Sequence, residues 1–236
     1  PTRDEVLKVA KQTENMNDTM RSKFLEKASG YSFYNTSDYT FDKLLADSDN
    51  IEDNFRQYLN GFSDNMQDIL SNFKFDLEIT NMAENDALFY VIQEFNKKDS
   101  YLGPDKVTST DMGYIFEELV RKFSESYNEE AGAHFTSRDI IYLMTDLLLA
   151  EDRETITGDS VVKTVYDQTM GTSQMLSAMM ERIKELNEDA EVLTFGQELN
   201  PETFAIAKAD TMIRGGDADQ MKLGSTLSND QFTDYT

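Results

Sequence analysis

The stretch Ser160-Val161-Val162-Lys163-Thr164-Val165-Tyr166-Asp167-Gln168-Thr169-Met170-Gly171-Thr172-Ser173 changes from strand-like to turn-like composition within fourteen residues. Its first seven residues are rich in β-branched side chains, which suit a pleated, half-buried surface, and the run stops at Asp167 and a small-residue turn around Gly171. This predicts a strand near residues 161–166. From Ser173 to Leu186 the apolar spacing turns helical, and Glu191-Val192-Leu193-Thr194-Phe195-Gly196-Gln197-Glu198 reads as a second strand. Pro201 to Arg214 reads as a helix with proline in its first turn, where the missing N–H would have no helical partner anyway. A third short strand is expected near Met221-Lys222-Leu223-Gly224. Strand, helix, strand, helix in this order predicts adjacent parallel strands joined by crossovers.

Upstream of residue 155 the period is helical. Met112, Ile115, Phe116, Leu119, Val120 and Phe123 share one face, opposite Glu117, Glu118, Arg121 and Lys122, and a packed core face is the reading for the apolar side. A second helix is expected to start at Thr136, its hydroxyl capping and Asp139 answering three positions later, followed by Ile140, Ile141, Met144, Leu147 and Leu148. Between about residues 4 and 96 the segments are shorter: Phe55, Tyr58 and Leu59, then Met66, Ile69, Leu70 and Phe73. Asn35-Thr36-Ser37-Asp38 and Asp47-Ser48-Asp49-Asn50 offer caps for helix starts, and Tyr101-Leu102-Gly103-Pro104-Asp105 is the linker candidate. The expected organisation is α followed by α/β: a helical domain over 1–107, then a second domain over 108–236.

A chain of 236 residues exceeds the usual single domain, and its apolar residues run along the whole length, which excludes a disordered acidic protein. Without cysteine there is neither a disulfide framework nor a thiolate metal site. No apolar run approaches the roughly 20 residues needed to cross a bilayer, so no membrane partner is expected and the cytoplasm is the default location. The twelve methionines read as core filler, and the sole histidine, His134, as a packed or merely polar residue rather than a general base. A net charge of −23 argues against a broad phosphate-binding surface, because Lys and Arg supply most phosphate contacts. It is compatible with a protein that leaves DNA recognition to a basic partner, and equally with a DNA mimic.

Ligands of open parallel sheets bind beyond the carboxyl ends of the strands, and a nucleotide site pairs a small-residue turn after one strand with an acid ending the next. Both are present. Gly171 lets backbone approach a ligand with no Cβ in the way, and Glu198 can accept both hydroxyl protons of a ribose. On spacing alone, Asp167 and Glu198 are equally well ordinary polar strand ends.

Four ordered segments together are more specific. Ala131-Gly132-Ala133-His134-Phe135-Thr136-Ser137-Arg138, Val165-Tyr166-Asp167-Gln168-Thr169-Met170-Gly171-Thr172, Phe195-Gly196-Gln197-Glu198-Leu199-Asn200-Pro201 and Gly224-Ser225-Thr226-Leu227 resemble the modification (M) subunit of type I restriction enzymes. The resemblance covers essentially the whole chain. It implies an N-terminal helical domain and the first half of a Rossmann-like domain that methylates adenine N6 in DNA with S-adenosylmethionine. It also implies a specificity subunit and a restriction subunit as partners. Carried over residue by residue, Phe135 and Thr136 lie beside the methionine end of the cofactor, Asp167, Gly171 and Thr172 around its methionine part, and Glu198 on the ribose.

Departures from the family are instructive. Its first turn usually reads Asp-Pro-x-x-Gly-Ser/Thr-Gly. Here Gln168 replaces the proline and Ser173 the second glycine, so the Ser173 Cβ is expected to crowd the cofactor. Ser137 stands where the family tends to have proline. Gly224-Ser225 occupies the place where Asp or Asn often contacts the cofactor adenine, which makes Ser225 a weaker ligand. The family's Asn-Pro-Pro-Phe motif, which holds the flipped adenine, is expected soon after Thr236, and the chain reads as an inactive fragment. Its prolines stand at 1, 104 and 201, none adjacent, and no catalytic residue can be named. The competing functions are a non-catalytic acidic interaction module and a DNA-mimic inhibitor.

Overall fold

The computed structural model describes residues 2–126 and 136–233. Two compact units, Pro1–Val107 and Thr108–Thr236, divide the chain.

The first unit is helical: α1 (Thr2–Gln12), α2 (Asp18–Ser29), α3 (Phe41–Ala46), α4 (Ile51–Asn60), α5 (Asp64–Asn72), α6 (Phe75–Glu84) and α7 (Leu88–Phe95). Leu44, Phe55, Ile79, Leu88 and Ile92 form one buried cluster, and Val6, Ala10 and Leu25 another. The caps differ from those read in the sequence. Asn17 caps α2 by accepting from the Met20 N–H, and Thr40 caps α3 by accepting from the Lys43 N–H. Asn35, instead of capping, donates to the Tyr58 carbonyl and accepts from the Ser37 N–H, pinning a loop to the end of α4. Asn50 precedes α4 without a side-chain cap bond.

The second unit begins with α8 (Ser109–Ser126), opened by a reciprocal cap in which the Asp111 N–H donates to Thr108 Oγ1 and the Thr108 N–H to Asp111 Oδ2. There follow α9 (Arg138–Leu149), α10 (Arg153–Ile156), β1 (Val162–Asp167), α11 (Gln174–Leu186), β2 (Glu191–Glu198), α12 (Pro201–Ile213) and β3 (Met221–Leu223). The strands lie in the order β1-β2-β3, both pairs parallel. The register runs from Val162 opposite Glu191 to Asp167 opposite Gly196, and from Gly196 opposite Met221 to Glu198 opposite Leu223. All three strands therefore deliver their carboxyl ends to one edge. Ile156, Met179, Ile183 and Ala190 fill the core at one end of the sheet, and Met170, Leu176, Phe204, Ala207 and Met221 fill it at the other.

Two readings of the helices need correction. Helix α9 starts at Arg138, with Ser137 at the N-cap and no side-chain cap bond, whereas Thr136 is exposed. The Arg138 guanidinium binds the Glu117 carboxylate through Nε and Nη2 and pins the first turn of α9 to α8. Nor is the apolar side of α8 wholly packed: Val120 is buried, but Ile115 and Leu119 are exposed. On α9, Ile141, Thr145 and Leu149 are buried, while Ile140, Leu143, Met144, Leu147 and Leu148 are 47–67% exposed. Apolar periodicity marks a helix but does not say which of two apolar stripes its neighbours cover.

Gly196 shows what the sheet demands. A Cβ there would stand 2.2 Å from Met170 Sδ, 3.0 Å from Met221 Sδ and 3.1 Å from a Leu176 methyl, all in buried side chains. Gly196→Ala is expected to lower stability by about 1–3 kcal/mol through overpacking. Chemical denaturation monitored by circular dichroism measures it, and an unchanged midpoint would refute this packing.

Candidate functional site

Beyond β1, the chain turns back over the sheet edge. The Thr169 N–H donates to Asp167 Oδ1 at 3.0 Å, the Met170 N–H to the Gln197 carbonyl at 3.1 Å and the Ser173 N–H to the Met170 carbonyl at 2.8 Å. Gly171 makes the bend at φ +55° and gives its N–H to Glu198 Oε2 at 3.0 Å. Glu198 Oε1 accepts the Asn200 N–H at 2.8 Å, and the Glu198 carbonyl accepts the Gly224 N–H at 2.8 Å. Asn200 in turn caps α12, accepting from the N–H groups of Glu202 and Thr203. One carboxylate thus joins the turn after β1 to the start of α12, and its own main chain holds the turn after β3.

Asp167, Gly171, Thr172, Ser173, Glu198 and Ser225, named from the sequence, belong to elements meeting at this edge. Burial raises the Asp167 carboxyl above its ordinary value; the Thr169 N–H opposes this, and the nearby negative Glu198 adds to it. Thr136 is exposed just before α9, whose first residue, Arg138, lines a cleft together with Thr172, Gln174 and Ser177. Phe135 and His134 lie outside the described residues. An ideal Cβ on Gly171 meets nothing within 4 Å, so the turn is open at its bend.

Ser173 behaves otherwise than expected. It is 1% exposed, so its side chain points into the protein and not into the open cleft. What it costs is conformational, because Ser173 sits at φ +68°, in the left-handed region that glycine adopts freely.

The segment after β3 carries contacts that no sequence signal announced. Residues 225–232 cross the sheet edge: Thr226 Oγ1 donates to the Gln168 carbonyl, the Tyr166 hydroxyl to Asp230 Oδ1 at 2.7 Å, and the Phe232 ring packs edge-on against Tyr166 and Phe195. Burial and the bond to Asp230 push the Tyr166 phenol up to about 12. Beneath lies Gln197, 0% exposed. The only hint in the sequence is a polar amide between Gly196 and Glu198 at the buried end of a strand.

Comparisons with known proteins agree on a relationship. The family model described as N-6 DNA Methylase matches residues 107–236, and the one described as HsdM N-terminal domain matches residues 1–95. The chain is similar to the methylase subunit of the type I restriction enzyme MjaIX of Methanocaldococcus jannaschii, 23% identical over 154 residues, 65% of this chain and 25% of the relative. It is also similar to the methylase subunit of the type I restriction enzyme HindI of Haemophilus influenzae, 26% identical over 132 residues, 53% of this chain and 25% of the relative. Among solved structures it shares a fold with the type I restriction-modification system methyltransferase subunit from Streptococcus thermophilus. That likeness has a TM-score of 0.57 at 17% identity, over 98% of this chain and 52% of that one. The chain spans about a quarter of the length of the curated relatives and about half of the solved one.

The backbone at position 173 makes a prediction of its own. Ser173→Gly removes a left-handed penalty of about 1–2 kcal/mol, partly offset by the greater freedom of glycine in the unfolded chain. A net gain of about 1 kcal/mol, raising the unfolding midpoint by roughly 2–4 °C, is expected in calorimetry. A lower midpoint would show that the serine side chain contributes more than its conformation costs.

Proposed function

We propose a function on one premise: the chain belongs to the N-6 DNA methylase family. On this reading, residues 108–236 are the first half of a Rossmann-like methyltransferase domain that binds S-adenosylmethionine, and residues 1–107 are the helical domain preceding it. The whole protein is then the methylation subunit of a type I restriction-modification enzyme, acting on adenine N6 in DNA together with a specificity and a restriction subunit. A net charge of −23 suits a subunit that leaves most phosphate contacts to a basic partner. Among the described residues no helix is long and apolar enough to cross a membrane.

The observation that carries the reading is the turn 167–173 closed onto Glu198. The residues present fit the cofactor. The open ground at Gly171 is a place that a Cβ would fill, and each Glu198 oxygen, holding one N–H, retains acceptor capacity for a ribose hydroxyl. When bound, the cofactor supplies an electrophilic methyl group on its sulfonium. The chain's part is to hold it: Glu198 takes the ribose, Asp167, Gly171 and Thr172 bound the methionine part, Ser225 faces the adenine, and Phe135 and Thr136 lie toward the methionine end. Ser173 serves from behind, by shaping the turn. The 236 residues contain no Asn-Pro-Pro-Phe, and on their own they are expected to bind cofactor without methylating DNA. A DNA mimic would share the charge but has no use for this turn.

Titration calorimetry tests the proposal. S-adenosylmethionine should bind one to one, and Glu198→Ala should weaken it at least about tenfold, since charge-assisted bonds are worth roughly 1.5–3 kcal/mol. Glu191→Ala, at the other end of the same strand, should change little. Binding by the wild type that Glu198→Ala leaves untouched would move the site elsewhere.

A further inference from the structure

Gln197 is a fully buried amide with both ends engaged by backbone. Its Nε2 donates to the Asn229 carbonyl at 2.8 Å and its Oε1 accepts the Gln231 N–H at 3.1 Å. Gln231 Nε2 donates back to the Leu223 carbonyl at 3.0 Å, and the Asn229 N–H to the Ser225 carbonyl at 2.9 Å. The segment 225–231 is therefore tied to β2 by a buried side chain one residue before Glu198, in addition to its bonds to Gln168 and Tyr166, and Ser225 is held through Asn229. A buried amide is costly unless every function is met, which makes such a contact all-or-none in geometry.

The sheet order gives that contact a meaning. With the ribose at Glu198 on β2, one end of the ligand must lie toward the turn after β1 and the other toward the turn after β3. The β1 side offers the open bend at Gly171 and small polar residues. The β3 side offers exposed apolar side chains, Leu223 and Leu227, that suit a flat base.

We infer that Gln197 is a positioning residue, which sets the wall carrying Ser225 and through it the preference of the cleft for an adenine base. The inference rests on the proposed cofactor site. Gln197 touches no reacting atom; its action is on the order of the segment 225–231.

Two variants test it on the full chain. Gln197→Met keeps length and apolar packing but removes both bonds. Asp230→Ala loosens the same segment from Tyr166 outside the core. Hydrogen exchange followed by mass spectrometry should show residues 224–233 opening about tenfold more readily in Gln197→Met, with residues 162–167 unchanged. S-adenosylhomocysteine should bind about fivefold more weakly, and S-inosylhomocysteine, which carries hypoxanthine, by less than about twofold, so that base discrimination collapses. Asp230→Ala should shift both readouts in the same direction, and decides alone if Gln197→Met does not fold. Unchanged exchange in 224–233, or parallel losses for the two ligands, overturns the inference and leaves the cofactor reading standing. A wild-type chain that binds neither ligand overturns both.

Discussion

The hydrogen bond from the Gly171 N–H to Glu198 Oε2 joins β1 to β2 beyond the last pair of their ladder, Asp167 opposite Gly196. A parallel pair has no tight hairpin to fix the chain beyond its strand ends, so the turn after β1 has to be held by something at the sheet edge. Glu198 does this with a side chain while its backbone holds Gly224 and its second oxygen holds Asn200. Losing that carboxylate would release the segments it ties together, which is why a half-buried residue at a strand end, with acceptor capacity left for a ligand, is also structural.

The same edge explains two unusual backbone positions. A turn that must reach Glu198 within four residues of Asp167 needs a reversal at Gly171 and a second left-handed residue before α11, and Ser173 takes that place despite its Cβ. With the turn pulled down onto β2, Met170 lands over Gly196, where only a hydrogen fits. Turn, strand and helix start are thus one packing problem, and the residues that solve it, Gly171, Gly196 and Glu198, sit in the segments that carry the family resemblance.

The parallel sheet is legible in the sequence because β-branched runs, a proline at a helix start and small-residue turns are local signals, and β1, β2 and β3 fall within a residue or so of where these put them. Helix starts are less so. Thr136 reads as a cap, but α9 begins at Arg138 with Ser137 at its N-cap, and Arg138 is paired with Glu117 of α8. The exposed stripe on α9 looks like core in sequence, because hydrophobic period reports a face and not its neighbour. In the candidate site, the residue types at the strand ends are readable. The bond from Gly171 to Glu198, 27 residues apart, is not, nor is the role of Gln197, whose amide looks like any surface glutamine until the strand register buries it.

On the proposed function, the cofactor binds at the sheet edge closed by Glu198. A crystal structure of the chain grown with S-adenosylhomocysteine would locate the ligand. The ribose hydroxyls are expected on the Glu198 carboxylate, with the bond from Gly171 retained and the base on the β3 side next to Ser225. Ligand bound elsewhere on the chain, or at this edge with the Glu198 carboxylate turned away from it, would refute this placement.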